Sequence, residues 1–336
     1  MESILLLAHT EADGALAKPA LEALTAALAL GGELTVGLVG GAVEPAARVA
    51  AAAGAQRILA VTGEAFSEAR YATDAAAAEA IARAAGAVIV LAPATSRWSR
   101  ALSGAAYRLG GRIDTHATGL AIRNEVPAVT RWFYRQRMEA VLTRAARPWF
   151  VLLDSGCVPP WSGTAAGTAQ IETIPLEAPA TRTTVTGVQA PKADEQTIRP
   201  DARLLFVAGA GWTKKQADGA VHVEEAQQLI LGALRAAQAS LGGSKSLVDL
   251  SGEGEAVLPF MTHLNQVGQT GSTPRHPKGL STCCHGEEPH VVGWRFVTER
   301  RAVNLDANCG WARGKADVVY VADAFAVVRE LNRLLG

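Results

Sequence analysis

The sequence predicts two α/β domains in series, the first a doubly wound parallel sheet, and three observations carry that expectation. Short apolar runs alternate with helical patterns over roughly the first 110 residues, the mark of βαβ units covered on both faces. A polar, Pro-containing stretch without period, residues 178–202, then breaks the pattern and reads as a connection. Beyond it the alternation resumes. At roughly 100–200 residues per domain, a chain of 336 residues accommodates two, spanning residues 1–190 and 203–336.

Each element follows from its local pattern. Residues 2–9, around Ser3 to Ala8, read as a buried strand, and Ala15 to Leu30 as an Ala/Leu-rich helix. Glu33 to Val39 and Arg57 to Val61 are strands separated by a helix from Pro45 to Ala53. Glu68 to Ala85 is a helix, Ala87 to Ala92 another apolar strand, and Ser99 to Leu109 a further helix. From about Thr115 to Pro175 the chain becomes β-rich, with pieces at 119–122, 128–134, 140–143, 149–153 and 171–174 that close or extend the first sheet. In the second half, Leu204 to Ala208 is a strand ending at Gly209-Ala210-Gly211, Val223 to Leu241 a helix, and Ser246 to Asp249 the start of a strand. Arg301 to Leu305 and Val318 to Val321 are strands, and Ala324 to Leu335 is a closing helix. No heptad or internal repeat is present.

Composition narrows the function. With 32 basic and 32 acidic residues and only 5% aromatics, the chain lacks the basic, ring-bearing footprint of a nucleic-acid binder. The first residues lack a basic n-region and reach His9-Thr10-Glu11 too early for a signal or transit peptide, and no apolar run is long enough to span a bilayer. Four cysteines in a chain of this length form no disulfide framework. The expectation is a soluble protein of a reducing, cytoplasmic compartment (or its mitochondrial-matrix equivalent).

Two stretches offer chemistry. Gly209-Ala210-Gly211 lies between a strand and a helix, where glycines let backbone N–H groups approach a pyrophosphate. Lys214 stands where a third glycine would complete the fingerprint, so an ordinary turn explains the segment equally well. Gln266-Val267-Gly268-Gln269-Thr270-Gly271 packs glycines, amides and a hydroxyl into one loop that suits a flat, polar ligand edge, although such loops are commonly plain turns.

That hexapeptide, followed by Pro274 and Pro277, resembles the signature of electron-transfer flavoprotein α subunits. Other segments resemble the family in the same order. Ser244-Lys245 with Asp249 resembles its Ser-Arg-x-x-x-Asp, and Gly279-Leu280-Ser281 with His290-Val291-Val292-Gly293 its Gly-Ile-Ser-Gly…Gln-His-x-x-Gly. Ala302 to Asp306 is similar to Ala-Ile-Asn-x-Asp, and Lys315-Ala316-Asp317 with Ala322 to Phe325 to its acidic C-terminal stretch. The N-terminal half resembles the family's first domain by element order and over Ala92 to Thr118. The resemblance implies a Rossmann-like first domain and a flavodoxin/Rossmann-like second domain holding FAD.

The resemblance also implies roles. Thr270 lies near the flavin N5 and C4 carbonyl, Gln269 and Gly268 line the ring and ribityl chain, and Ser281 approaches the pyrophosphate. His290 faces the N1–C2 edge, where a donor favours the reduced anion, with His285 as competing candidate. Asn304 and Asp317 contact the adenosine, and Gly211, Ser244, Lys245, Gln266, Val267, Gly271 and Asp306 complete the cofactor-binding set. The implied activity is electron carriage rather than catalysis on a substrate of its own. Flavin dehydrogenases are the donors, and a quinone-linked membrane enzyme or an iron–sulfur oxidoreductase is the acceptor. A β subunit that carries AMP or a second FAD completes the heterodimer, which calls for a large interface.

The chain departs from the family pattern. Gly209-Ala210-Gly211-Trp212 replaces Gly-Gly-Arg-Gly, Lys245 loses the planar fork of an arginine, and Ser281 to His290 carries an insertion. Two alternatives stand beside this reading, the first resting on Gly209-Ala210-Gly211 and the second on the missing arginine. One is an NAD-dependent dehydrogenase with Asp249 on the ribose, and the other an adenine-nucleotide scaffold without flavin. Cys283-Cys284-His285, with Cys309 and His290, matches no metal or cluster spacing, and Cys157 reads as a lone apolar side chain. His9 at a strand end reads as structural or interfacial, and Arg97 to Arg100 as a helix start. Trp132-Phe133-Tyr134 with Arg135 and Arg137 forms an aromatic-basic tip suited to the partner subunit.

Overall fold

The computed structural model of the protein describes residues 2–134, 138–187, 199, 202–249, 256–267, 275–282, 297–308 and 316–336. The chain divides into two compact units, residues 1–188 and 189–336.

The first unit runs β1 (Ile4–His9), α1 (Lys18–Ala29), β2 (Leu34–Gly40), α2 (Glu44–Ala52), β3 (Arg57–Thr62), α3 (Glu64–Ser67), α4 (Tyr71–Ala85), β4 (Ile89–Pro93) and α5 (Ser96–Arg108). Then follow β5 (Arg112–Arg123), β6 (Val126–Phe133), β7 (Met138–Leu142), β8 (Trp149–Leu153) and β9 (Glu172–Thr173). The nine strands form one open sheet in the order β7-β6-β5-β8-β4-β1-β2-β3-β9. It is parallel except where β6 turns back against β5 and β7. The β-rich region therefore extends the sheet at one edge, while β9 returns to pair with β3 at the other.

The doubly wound expectation holds. Helices α1 and α2 bury Ala20, Ala23, Leu24, Ala46 and Ala50 on one face, and α4 and α5 bury Ala78, Ile81, Trp98 and Leu102 on the other. The central strands are apolar on both sides, as a two-faced parallel sheet demands. Gly37 permits the close seat of α4, since a Cβ there would meet Ile81 Cγ2 at 2.4 Å. Some element bounds differ from expectation. The helix expected over 68–85 begins at Tyr71 as α4, and the short α3 lies just before the expected span. Helix α5 starts at Ser96 because the Thr95 hydroxyl accepts the Trp98 N–H at 3.3 Å and caps it.

The second unit contains β10 (Leu204–Ala208), a 3₁₀ turn (Ala210–Thr213), α6 (Val223–Ala237), β11 (Ser240–Gly243) and α7 (Lys245–Asp249). These are followed by β12 (Lys278–Thr282), β13 (Glu299–Asn304), β14 (Val318–Val321) and α8 (Ala324–Leu335). All five strands are parallel, in the order β11-β10-β12-β13-β14. Counted within the unit this is 2-1-3-4-5, a doubly wound order that reverses between β10 and β12. Leu229, Ile230 and Ala233 of α6 pack with Phe325 and Val328 of α8 on one face.

Two expectations fail here. The helix expected to reach Leu241 ends at Ala237, where Gln238 turns left-handed at φ 47°, and Ser240–Gly243 becomes the strand. Ser246 to Asp249, expected to start a strand, is helix α7. The Ser244 hydroxyl accepts the Leu247 N–H at 3.2 Å and caps its first turn.

Candidate functional site

Open parallel sheets bind ligands outside the carboxyl ends of their strands, at the point where the order reverses. In the second unit that point lies between β10 and β12. The first turn after β10 holds Gly211, buried within Ala210–Thr213. The Gly211 carbonyl accepts the Gln216 side-chain amide at 2.9 Å, and the Lys214 carbonyl accepts it at 2.6 Å. Ser244, directly after β11, is 5% exposed and donates its N–H to Ala208 O at 3.0 Å. Lys245 opens α7 beside it.

Gln266 and Val267 reach the same edge. Val267 N–H donates to Gly243 O at 3.0 Å, forming a parallel bridge that lays this segment along β11. The bridge depends on a bare strand, since a Cβ on Gly242 would meet Val267 Cγ2 at 2.5 Å. Both residues are buried, and Gln266 Nε2 has no hydrogen-bond partner among the described residues. From here the chain enters Gly268, Gln269, Thr270 and Gly271, which lie outside the described residues, as do His285, His290, Cys283, Cys284 and Cys309.

Ser281 is fully buried one residue before the end of β12, between Val207 and Ala302. Asn304 ends β13 at 2% exposure, and its Nδ2 has no partner among the described residues. Asp306 is exposed in the following turn, its Oδ1 accepting the Asn308 N–H at 2.8 Å. Asp317 stands apart from these. It precedes β14 at the opposite, N-terminal edge, where Arg300 bonds it at 2.9 Å through the guanidinium and at 2.7 Å through the backbone N–H. Those bonds hold its carboxyl below the usual range. The sheet thus gathers Gly211, Ser244, Gln266, Val267, Ser281, Asn304 and Asp306 at one edge and leaves Asp317 at the other.

At this edge the sequence marked Trp212 only as a departure from the family's turn and gave Thr282 no role. The indole Nε1–H donates to Thr282 Oγ1 at 2.9 Å with both side chains fully buried. A tryptophan inside a glycine-rich turn, where a polar or small residue serves a phosphate, was the available signal. The strand Lys278–Thr282 was also not anticipated, so Thr282 had no recognised place.

The first unit has a reversal of its own, between β1 and β4. The protein's own side chains meet there. His9 Nε2 lies 3.1 Å from Thr95 Oγ1, and its ring packs 6.1 Å from that of Trp98. Burial, with the nearby Arg97 charge, lowers the His9 pKa to about 4, so its imidazole is neutral. Arg97 lies at the start of α5, as the sequence suggested, and is also the buried ion-pair partner of Asp74. Among the described residues no group of three or more His, Cys, Asp or Glu could hold a metal ion.

Two successive parallel sheets, each wound on both sides of a reversal, define a two-domain Rossmann-like protein. Residues 4–179 match the electron transfer flavoprotein domain, and the chain belongs to that family. The family is flavin-associated, functions in electron transfer, and generally works as heterodimers with redox partners. No curated protein matches the chain. No helix among the described residues is long and apolar enough to cross a membrane.

Proposed function

We propose that this chain is the α subunit of an electron-transfer flavoprotein and that its second unit holds one FAD along the C-terminal edge of its sheet. The observation that carries this reading is the pair of buried amide donors, Gln266 Nε2 and Asn304 Nδ2, without partners among the described residues. A buried donor left unmade costs about 1–3 kcal/mol, and native proteins keep few of them. Gln266 lies one strand outside β11 and Asn304 ends β13, so four strand spacings, about 19 Å, separate the two. A ligand that reaches both is an extended dinucleotide, and the residues present fit FAD in this respect.

In this reading Ser244, Lys245, Gln266, Val267 and the segment Gly268 to Gly271 enclose the flavin end, with Thr270 at N5 and His290 or His285 at N1–C2. Gly211 and Ser281 flank the pyrophosphate, and Asn304 and Asp306 hold the adenosine end. Asp317 has a different role: with Arg300 it fixes the start of β14 against β13. Bound FAD supplies the electron chemistry, between flavin dehydrogenases and a quinone-linked or iron–sulfur acceptor. The chain's contribution is to bind, orient and shield the ring, as a cytoplasmic carrier.

A β subunit, bearing AMP or a second FAD, docks on the first unit. Support comes from the β6–β7 tip, where Tyr134, Met138 and Val141 are exposed and the Arg131 guanidinium lies 4.4 Å over the Phe133 ring.

The nicotinamide alternative needs an acid at the end of the second strand to hold the ribose. That position is Ser244, while Asp249 lies within α7, so the geometry favours FAD. Titration of the full chain with FAD, NAD and AMP, followed by intrinsic fluorescence, separates the readings. FAD should bind most tightly; preference for NAD or AMP would sink the assignment.

A further inference from the structure

Strands β10 and β12, which flank the reversal in the second unit, are held together at their ends by one residue. Thr282 pairs with Ala208 in register. Its carbonyl accepts the Gly209 N–H at 2.9 Å, and its hydroxyl accepts the Trp212 indole N–H at 2.9 Å. The same hydroxyl donates to Val207 O at 3.1 Å. Trp212 and Thr282 are both fully buried, and the indole tilts against the Phe325 ring of α8 with centroids 4.6 Å apart. The turn is also closed on itself, because the Gln216 amide bonds the carbonyls of Gly211 and Lys214.

Packing alone does not call for this arrangement. A phenylalanine fills most of the same space without bringing a polar N–H into the interior, and a valine replaces Thr282 with the same shape. Burying an indole N–H and a hydroxyl is neutral at best unless they bond each other. What the bond adds is direction. It fixes where the chain leaves β10 relative to where it leaves β12, and those two exits bound the crevice of a doubly wound sheet.

We infer that Trp212 and Thr282 are positioning residues for the dinucleotide. They set the gap between the turn at Gly209–Thr213 and the end of β12, into which the pyrophosphate fits, without touching it themselves. The inference rests on the FAD reading. It makes the site neutral at this point: an indole–hydroxyl bond, rather than a charged side chain, holds the first turn in place.

The test uses the full chain and measures its FAD dissociation constant, the visible circular dichroism of bound flavin, and thermal unfolding without FAD. Trp212→Phe and Thr282→Val should each weaken FAD binding about tenfold, the scale of one hydrogen bond. Both should alter the flavin's visible dichroism. The double variant should bind no more weakly than either single one, because both remove the same bond. Thr282→Ser, which keeps the hydroxyl, should restore affinity and dichroism. Wild-type affinity in both single variants, additive losses in the double, or failure of Thr282→Ser to restore binding would overturn the positioning role while leaving the FAD reading intact. A wild-type chain that takes up no FAD would overturn both. Should Trp212→Phe fail to fold, the comparison of Thr282→Val with Thr282→Ser decides.

Discussion

Arg97 and Asp74 form an ion pair at 2.7 Å whose side chains are 7% and 0% exposed, between α4 and α5. Arg97 also donates to Phe66 O at 2.6 Å and Ser67 O at 3.1 Å, so one guanidinium ties α3 to both helices. Burial pushes the Asp74 carboxyl up, and the bonds and charge of Arg97 pull it back. Removing one partner leaves the other charge buried and unpaired. Asp74→Ala should therefore cost about 3–5 kcal/mol in urea unfolding of the first unit. Arg97→Lys should recover only part of that loss, since an ammonium cannot reproduce the planar fork. A loss under about 1 kcal/mol for Asp74→Ala, the scale of a surface pair, would contradict this account.

His9 imposes a pH dependence of known sign. Its folded pKa, about 4, lies below the ordinary histidine value of 6.5, so between those values the unfolded chain binds more protons. Stability therefore rises with pH across that window and falls as the solution is acidified through it. At about 1.36 kcal/mol per pKa unit, the loss from this group approaches 3 kcal/mol near pH 4. Comparing the pH profiles of the wild type and His9→Gln isolates this part. The variant should lose less stability between pH 6.5 and 4; parallel profiles would contradict the buried, neutral imidazole.

Asp114 acts in the same direction with pH, through its partners rather than its burial. Burial alone would raise its pKa, but bonds from Arg144, Trp149 Nε1 (2.9 Å) and Arg131 (3.1 Å) outweigh that and lower it. Its stabilising contribution is complete above the ordinary carboxylate range and is lost as pH falls through the depressed folded value. Asp114→Asn should cost roughly 3 kcal/mol at neutral pH, by leaving the two guanidinium groups uncompensated, and should flatten the acid limb of the unfolding profile. An unchanged acid limb would remove Asp114 from this role.

Gln266 and Asn304 should separate ligand binding from folding. Each buries an amide donor that lacks a partner among the described residues, so truncation relieves a cost in the ligand-free chain while removing a contact to FAD. Gln266→Ala and Asn304→Ala should each weaken FAD binding roughly tenfold while lowering ligand-free stability by less than about 1 kcal/mol. Calorimetric titration and thermal unfolding, run side by side, check both halves. Large instability with unchanged affinity would show the two amides to be structural.

The first unit was largely legible in sequence because its strands are apolar on both faces. Ile4 to Ala8 and Ile89 to Ala92 have no competing helical reading, and Trp149 to Leu153 matched its strand to the residue. Strands of the second unit were less visible where they carry little apolar surface. Ser240-Leu241-Gly242-Gly243 is bare because Val267 and Met261 pack where side chains would be. That contact is invisible without the tertiary structure, so the strand was absorbed into the preceding helix. Lys278-Gly279-Leu280-Ser281-Thr282 was missed because Leu280 is its one large apolar residue. At the candidate site, family likeness named Ser244, Gln266 and Asn304, which the structure sets along one edge of the second sheet. It marked Trp212 only as a departure from the family's turn and passed over Thr282, because the bond that joins them links residues 70 positions apart. Asp317 shows the converse. Its motif position suggested the ligand, whereas its register beside Arg300 places it at the far edge of the sheet.

The most direct test of the central claim is the flavin content of the full chain, purified together with its partner subunit. FAD released on denaturation, identified by chromatography and quantified by absorption, should amount to one per copy of this chain. It should also fall in step when Gln266 and Asn304 are both replaced by alanine. A colourless complex that cannot be reconstituted with FAD, or one whose flavin content ignores both residues, would contradict the assignment of the cofactor to this edge.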